Sequence, residues 1–394
     1  MTPTTSERSP PDLGQAARVL TIAAAISCIA VAGVGLSLSS PLISLLLSAK
    51  GVSGAMIGFN TAVGSLGNLI VGAFVARLAA KLGLRLLLLS TLAIGAVSIS
   101  LFAVLNSLAA WFVLRLIFGA AIGTLFVLSE FWINAAAPAT RRGLIMGIYA
   151  TALSLGFAGG PAILAAVGRA DEMLFVVCAG FFFLAAIPIL LVGTNAPPLE
   201  GKARHSVFAF VVLAPIATVA AYIYGAVEQS SFAFLPIYGE KLGLSARTSA
   251  LLLMVFGLGN VVSQVPLGLL SDRWNRTKLL LGCACISGLA ALAMPLAAGS
   301  VPGLMVLLFI AGGVIGGLYT IGLALLGAHF SGPELATANA AFVMLYSFGM
   351  MTGAPAMGVL VDVVEPHGFA FGFAFLCALY CGLIAWRLPR KAEE

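Results

Sequence analysis

The sequence predicts an all-α polytopic membrane protein, with twelve transmembrane helices arranged as two pseudo-symmetric six-helix bundles. Three observations predict it. Of 394 residues, 61% are hydrophobic and only 9% are charged, against about 25% charged in an ordinary soluble domain. The apolar residues form long runs without two-residue alternation, and a backbone crossing lipid must satisfy its hydrogen bonds within helices or a closed barrel. Glycines also recur between the halves at a near-constant offset. Gly67-Asn68 returns as Gly259-Asn260, 192 positions on, and Gly119, Gly123, Gly156 and Gly160 return as Gly312, Gly316, Gly349 and Gly353, 193 positions on.

The chain opens with a polar tail, residues 1–18, carrying Pro3, Pro10 and Pro11. The first apolar run, Val19–Ala49, has 31 residues and no charge. The apolar core of a signal peptide is about 7–15 residues, so this run is read as a retained span. Charges and turn residues divide the chain into runs near 19–47, 55–79, 85–105, 109–137, 143–168, 173–193, 207–238, 247–270, 278–297, 302–328, 336–361 and 368–387. The ninth and tenth are separated only by the turn signal Ala297-Ala-Gly-Ser-Val-Pro302. Residues 19–193 and 207–387 form the two bundles, 194–206 a cytoplasmic linker with Pro197, Pro198, Glu200, Lys202 and Arg204, and 388–394 a second cytoplasmic tail.

Lys and Arg set the orientation. With the N-terminus inside, only Lys50, Arg169, Lys241 and Arg247 fall in outer loops and Arg115 within a span; the rest of the 20 Lys and Arg lie on the cytoplasmic side, with both termini. The net charge of +6 is therefore a topology signal and no nucleic-acid footprint. The six cysteines sit inside apolar runs and read as small packing residues, with no disulfide or metal implied.

Several motifs are similar to those of the major facilitator superfamily, and the resemblance spans essentially the whole chain. Gly268-Leu-Leu-Ser-Asp272-Arg273-Trp-Asn275-Arg276-Thr-Lys278 resembles the family's G-x-x-x-D-R-x-G-R-[RK] loop, with Asn275 where Gly is usual. Its first-half counterpart around Arg77, Lys81, Gly83 and Arg85 has Ala80 at the acidic position. Arg115-x-x-x-Gly119-x-x-x-Gly123 is similar to the fourth-span motif. Gly156-x-x-x-Gly160-Pro161 resembles the start of the fifth-span motif of drug–proton antiporters, with Leu164-Ala165 where two further glycines are usual. The resemblance implies the family's fold, a bacterial inner (plasma) membrane location, no cofactor and a monomer among membrane lipid.

Ionisable residues inside spans are costly and are functional candidates. Arg115 lies about 12 Å outward of the fourth span's centre and Glu130 about 10 Å inward, too far apart to pair. Glu228, in Tyr224-Gly225-Ala-Val-Glu228-Gln229, lies slightly outward of the seventh span's centre. Leu308 and Leu323 stand at the repeat positions of Arg115 and Glu130, so these charges break the pseudo-symmetry. Glu228 is the first candidate for a proton- or substrate-coupling group, against a role as a fixed hydrogen-bonded partner of Tyr224 or Gln229. Arg115 could hold the glutamate's charge or a substrate anion, or serve structure within the first half. Glu130, with Asn134 one turn on, could join the coupling or neutralise Arg141 or Arg142. Tyr222, Tyr224, Gln229, Gln264, Tyr319 and Tyr346 are candidate cavity contacts. Asp272, Arg273 and Arg276 form a candidate interlock at the cytoplasmic mouth, while Gly156, Gly160 and Pro161 pack or hinge the fifth span.

No phosphate-cradling glycine loop, metal cluster or nucleophile–base set appears, and His205, His329 and His367 are scattered near loop ends. An ATP-driven pump or an intramembrane enzyme is thereby disfavoured. Parallel six-span repeats place a substrate site at their interface near mid-membrane. The expected function is secondary active transport by alternating access: proton-coupled export of a small amphipathic or aromatic compound. Uptake of a small metabolite by symport or uniport is one alternative, and a non-transporting sensor or assembly partner another.

Overall fold

The computed structural model describes residues 15–136, 142–191, 213–330 and 332–387, and among these every regular element is helical. The first half comprises α1 (Gln15–Ala49), α2 (Gly54–Leu82), α3 (Leu84–Leu101), α4 (Leu108–Ala136), α5 (Arg142–Val167) and α6 (Met173–Leu191). The second comprises α7 (Pro215–Lys241), α8 (Ala246–Arg273), α9 (Arg276–Ala293), α10 (Val301–Ile315), α11 (Gly317–His329), α12 (Gly332–Val363) and α13 (Gly368–Arg387). The linker at 194–206, the C-terminal tail, Arg141 and most of the N-terminal tail lie outside the described residues; α1 begins four residues before the expected Val19. The end where α1 begins and α13 finishes is called proximal below, and the opposite end distal.

Among the described residues, ten stretches are long and apolar enough to cross a membrane; α5 supplies a shorter apolar stretch, and α7 is not among the ten. The shortfall of α7 has a local cause, the polar run Glu228-Gln229-Ser230-Ser231 at its middle. Ser230 and Ser231 return their hydroxyls to the carbonyls of Ala226 and Val227, which keeps them satisfied within the helix. The tenth span differs from the single helix expected over 302–328. It breaks at Gly316 into α10 and α11, where two adjacent glycines weaken the helix and Asn260 of α8 lies so close that a Cβ on Gly316 would meet its Oδ1 at 2.8 Å.

The sequence repeat is a repeat of contacts. A Cβ on Gly119 would stand 2.0 Å from the Gly64 carbonyl oxygen, and one on Gly312 2.1 Å from that of Phe256, 192 residues after Gly64. Gly67 and Gly259 likewise press on the carbonyls of Leu116 and Phe309, and Gly156 and Gly349 on those of Ala30 and Tyr222. These are the close backbone approaches that small-residue spacing permits between membrane helices. The turns repeat too: Gly51 and Gly243 take φ of +74° and +78°, a region glycine enters freely. Ser53 and Ser245 then cap α2 and α8. Gly119→Ala should therefore destabilise the protein by roughly 1–3 kcal/mol through overpacking, read as a lowered melting temperature. Gly72→Ala, where a Cβ would meet open space, should be close to neutral.

Across the halves, α2 packs on α12, α5 on α8, and α1 and α2 on α7. The cross-half contacts that can be named residue by residue lie in the distal halves of these helices. Gly54 and Gly358 press on each other's carbonyl oxygens, and Gly58 sits against Ala354 and Pro355. The Asp362 carboxylate, near the end of α12, accepts the backbone N–H groups of Gly54 at 2.7 Å and Ala55 at 2.9 Å. With Ser53 taking the Met56 N–H, three of the four unpaired donors at the α2 N-terminus are satisfied, two of them by the opposite half. These contacts tie the two halves together at the distal end.

Candidate functional site

The largest polar constellation inside the bundles forms around Glu228. On α7, Tyr224 is one turn before Glu228, so both project from one helix face. The Tyr224 hydroxyl donates to Glu228 Oε1 at 2.6 Å, and Tyr346 of α12 donates to Oε2. Asn260 of α8 donates through Nδ2 to the Tyr224 oxygen at 2.9 Å, and Gln264 Nε2 donates to Asn260 Oδ1 at 2.7 Å. Thr320 of α11, just past the break in the tenth span, donates to Gln264 Oε1. One continuous relay thus links Thr320, Gln264, Asn260, Tyr224, Glu228 and Tyr346 across four spans of the second half. The rings of Tyr224, Tyr319 and Tyr346 pack together with centroids 5.5–5.9 Å apart. Glu228, Asn260, Gln264, Tyr319, Thr320 and Tyr346 are each half-buried.

Glu130 belongs to the first half, where its side chain is exposed near the proximal end of α4. Beside Glu130, Ser129 shares a 3.0 Å hydrogen bond with Tyr149 of α5. The side chains of Asn134 and Arg142 lie outside the described residues, as does Arg141.

Arg115 is placed elsewhere. It is 3% exposed, donates from Nη2 to Ser40 of α1 at 2.9 Å, and lies against Gly64 of α2, all within the first half. The structure does not bring it to Glu228. Gln229 also stays apart: it is buried with its Oε1 unpartnered, because neighbours in a helix point about 100° apart. Tyr222 bonds Thr352 of α12 at 3.0 Å, a second α7–α12 tie. Gly156 and Gly160 receive α1, with Ser37 donating to the Gly156 carbonyl at 3.0 Å, and α5 runs unbroken through Pro161.

At the proximal mouth Asp272 and Arg273 are exposed, and Asp272 reaches Arg276 only at 3.8 Å. Asn275, where the resembling loop has Gly, sits at φ −62° and caps α9 by accepting the Lys278 N–H at 3.0 Å. Gly83, its first-half counterpart, takes φ +77° without such a cap.

Sequence reasoning did not assign Thr320 or Asp362 to the machinery, and it used Asn260 only as a repeat marker. The available signal for Asn260 was its four-residue spacing from Gln264 in an otherwise apolar helix. Asp362 looked like an ordinary charge at a span's end.

Residues 25–254 and 216–394 match the sequence model of the Major Facilitator Superfamily. The chain belongs to this superfamily. Within it, the chain is 26% identical over 348 residues to YfkF of Bacillus subtilis (strain 168), an uncharacterized MFS-type transporter, covering 86% of this chain and 88% of YfkF. It is 23% identical over 258 residues to the MFS-type transporter YcaD of Salmonella enteritidis, covering 64% of this chain and 65% of YcaD. The fold is similar to that of an inward-facing, unoccupied bacterial homolog of the human lysosomal transporter Spinster, with a TM-score of 0.76 at 13% identity over 95% of this chain and 96% of the other. It is also similar to the nucleoside transporter NupG (TM-score 0.76, 16% identity, 94% and 98% covered) and to a D-xylose-proton symporter (0.70, 18%, 92% and 96%). The protein is thus an MFS-type membrane transporter, of a family and fold that are generally non-enzymatic.

Proposed function

We propose that this transporter works by alternating access and couples export of a small amphipathic or aromatic compound to proton entry through Glu228. The observation that carries this reading is the double acceptance at Glu228. Both carboxylate oxygens take tyrosine hydroxyls, an arrangement suited to the ionised group. A proton arriving at either oxygen turns an acceptor into a donor, so the tyrosine hydroxyl there must turn to accept or let go. If Tyr346 is released, α12 loses a tie to α7. The same helix carries Asp362 sixteen residues on, about 24 Å along its axis, where it holds the α2 N-terminus. Proton occupancy at the centre and closure at the distal end thereby act on one rigid element, a two-state arrangement that a ligand can bias.

The substrate reading rests on surfaces. Three packed tyrosine rings around the Glu228 carboxylate favour an aromatic or amphipathic molecule with a basic nitrogen, held by cation–π and charge contacts. The same surfaces disfavour polyanions. In this reading the excess of Lys and Arg at the proximal end puts that end in the cytoplasm, and distal closure then corresponds to an inward-facing state. Asp272, Arg273 and Arg276 stand in this reading as the opposing lock, disengaged while the proximal mouth is open, and Glu130 as the first half's contribution to the cavity.

The test is proton movement in proteoliposomes of defined orientation loaded with candidate amines. Export coupling predicts that substrate moving outward drives protons inward. Tyr346→Phe should reduce coupled flux by roughly tenfold or more, because one donor to the carboxylate is worth about 1.5–3 kcal/mol when the acceptor is charged. Substrate and protons moving in the same direction would replace export by symport.

A further inference from the structure

Away from the central cluster, a cavity of about 390 Å³ opens at the proximal end of the second half. Four helices meet there: Ile216 from the start of α7, Trp274 to Thr277 from the α8–α9 turn, Leu325 and His329 from α11, and Arg387 from the last turn of α13. Arg276 and Arg387 are both half-buried, and the Nε of each is buried without a hydrogen-bond partner. Two guanidinium groups with unfilled donors in one cavity are costly unless an acceptor arrives.

Among the described residues, the surrounding charges do not supply that acceptor. Asp272 is the carboxylate nearest Arg276, at 3.8 Å, and is itself largely exposed. Arg273 and Lys278 flank the turn and add positive charge. Arg387 rests its guanidinium 5.4 Å from the Trp386 ring centre, which supports the cation but accepts nothing at Nε. His329 holds Leu325 O through Nδ1 at 2.8 Å, so its Nδ1 carries the proton and the ring is fixed at the cavity's edge. Trp274 is 64% exposed at the rim, and Trp next to basic residues at helix ends is the composition of a membrane interface.

We infer that this cavity is an anion site, in which Arg276 and Arg387 grip a phosphate group from two sides. Forked guanidinium donors match phosphate oxygens in pairs, and the first turn of α9, at Arg276 and Thr277, turns its partial positive charge toward the same space. A phosphate here is supplied either by the headgroup of an anionic lipid or by a free phosphate or phosphate ester. The depth of the cavity, at the ends of four helices, suits both. Because Arg276 also faces Asp272, an occupied site would withdraw Arg276 from that carboxylate and change the charge at the proximal mouth.

The experiment uses the full chain purified in a neutral detergent, with thermal unfolding and binding titrations as readouts. The probes are short-chain phosphatidylglycerol, phosphatidylcholine of the same chain length, inorganic phosphate and glycerol 3-phosphate, at one ionic strength. The site predicts that at least one phosphate-bearing anion raises the melting temperature in a saturable way while phosphatidylcholine does not. A response to phosphatidylglycerol alone assigns the lipid headgroup, and a response to phosphate or glycerol 3-phosphate assigns a soluble ligand. Arg276→Gln and Arg387→Gln should each weaken the active probe roughly tenfold, the loss of one charge-assisted contact, and Arg387→Lys should recover part of it. Equal responses to anionic and zwitterionic probes overturn the inference, as does a response unchanged in both Gln variants. Should either Gln variant fail to fold, the probe comparison on the unaltered chain and the Lys variant still decide.

Discussion

Glu228→Gln is expected to abolish proton-driven transport, lowering it by about 100-fold or more, while leaving downhill exchange of substrate measurable. The substitution keeps the size and hydrogen-bonding capacity of the side chain and removes its ability to gain and lose a proton. Its amide oxygen can still accept from one tyrosine, but its amide nitrogen can only donate. The variant should therefore hold the cluster in the form the native carboxylate reaches when protonated, with the hydroxyl of Tyr224 or Tyr346 turned to accept or released. A purely structural Glu228 would behave otherwise: both modes of transport would fall together as the fold weakened. The separation between coupled flux and exchange is the diagnostic, and it is measured in proteoliposomes with and without an imposed pH gradient.

Gly58→Leu should have the second largest effect, by preventing distal closure. A Cβ at this position would lie 2.3 Å from the Ala354 carbonyl oxygen and 2.7 Å from the Pro355 Cα, backbone atoms of the other half that cannot rotate away. Overpacking of this kind costs roughly 1–3 kcal/mol, here borne only by the distally closed state, so the closed population should fall by about 5- to 150-fold. Asp362→Ala should act in the same direction more weakly. Its carboxylate is exposed, and loss of a helix cap costs about 1 kcal/mol. Thiol labelling of single cysteines placed along α2 and α12 reads both effects as increased distal accessibility.

These two positions show how legibility in the sequence divided. The six-plus-six fold was readable because glycine spacing and charge placement are local, one-dimensional signals, and the contacts at Gly119 and Gly312 or Gly156 and Gly349 repeat as their spacing does. The break at Gly316 was hidden because hydropathy runs straight across Ile315-Gly316-Gly317. At the site, the Tyr224–Glu228 pair follows from helical spacing alone. Tyr346, 118 residues away, had no sequence signal tying it to Glu228. Arg115 stood out for its cost in lipid, yet what meets it is Ser40 and the bare backbone at Gly64, a pairing that depends on how α1, α2 and α4 cross. Asp362 was passed over because a carboxylate near a span's end looks solvated until the opposite half's helix start is set against it.

The most direct test of the account needs no substrate. Spin labels placed as one distal pair, at Lys50 and Glu365, and one proximal pair, at Lys81 and Lys278, report the two ends while the pH is lowered. Acidification should lengthen the distal distance and shorten the proximal one in the otherwise native protein. Glu228→Gln should sit at the acid-state distances at every pH. If the variant followed pH as the native protein does, the proton would be acting elsewhere and Glu228 would not be the coupling group.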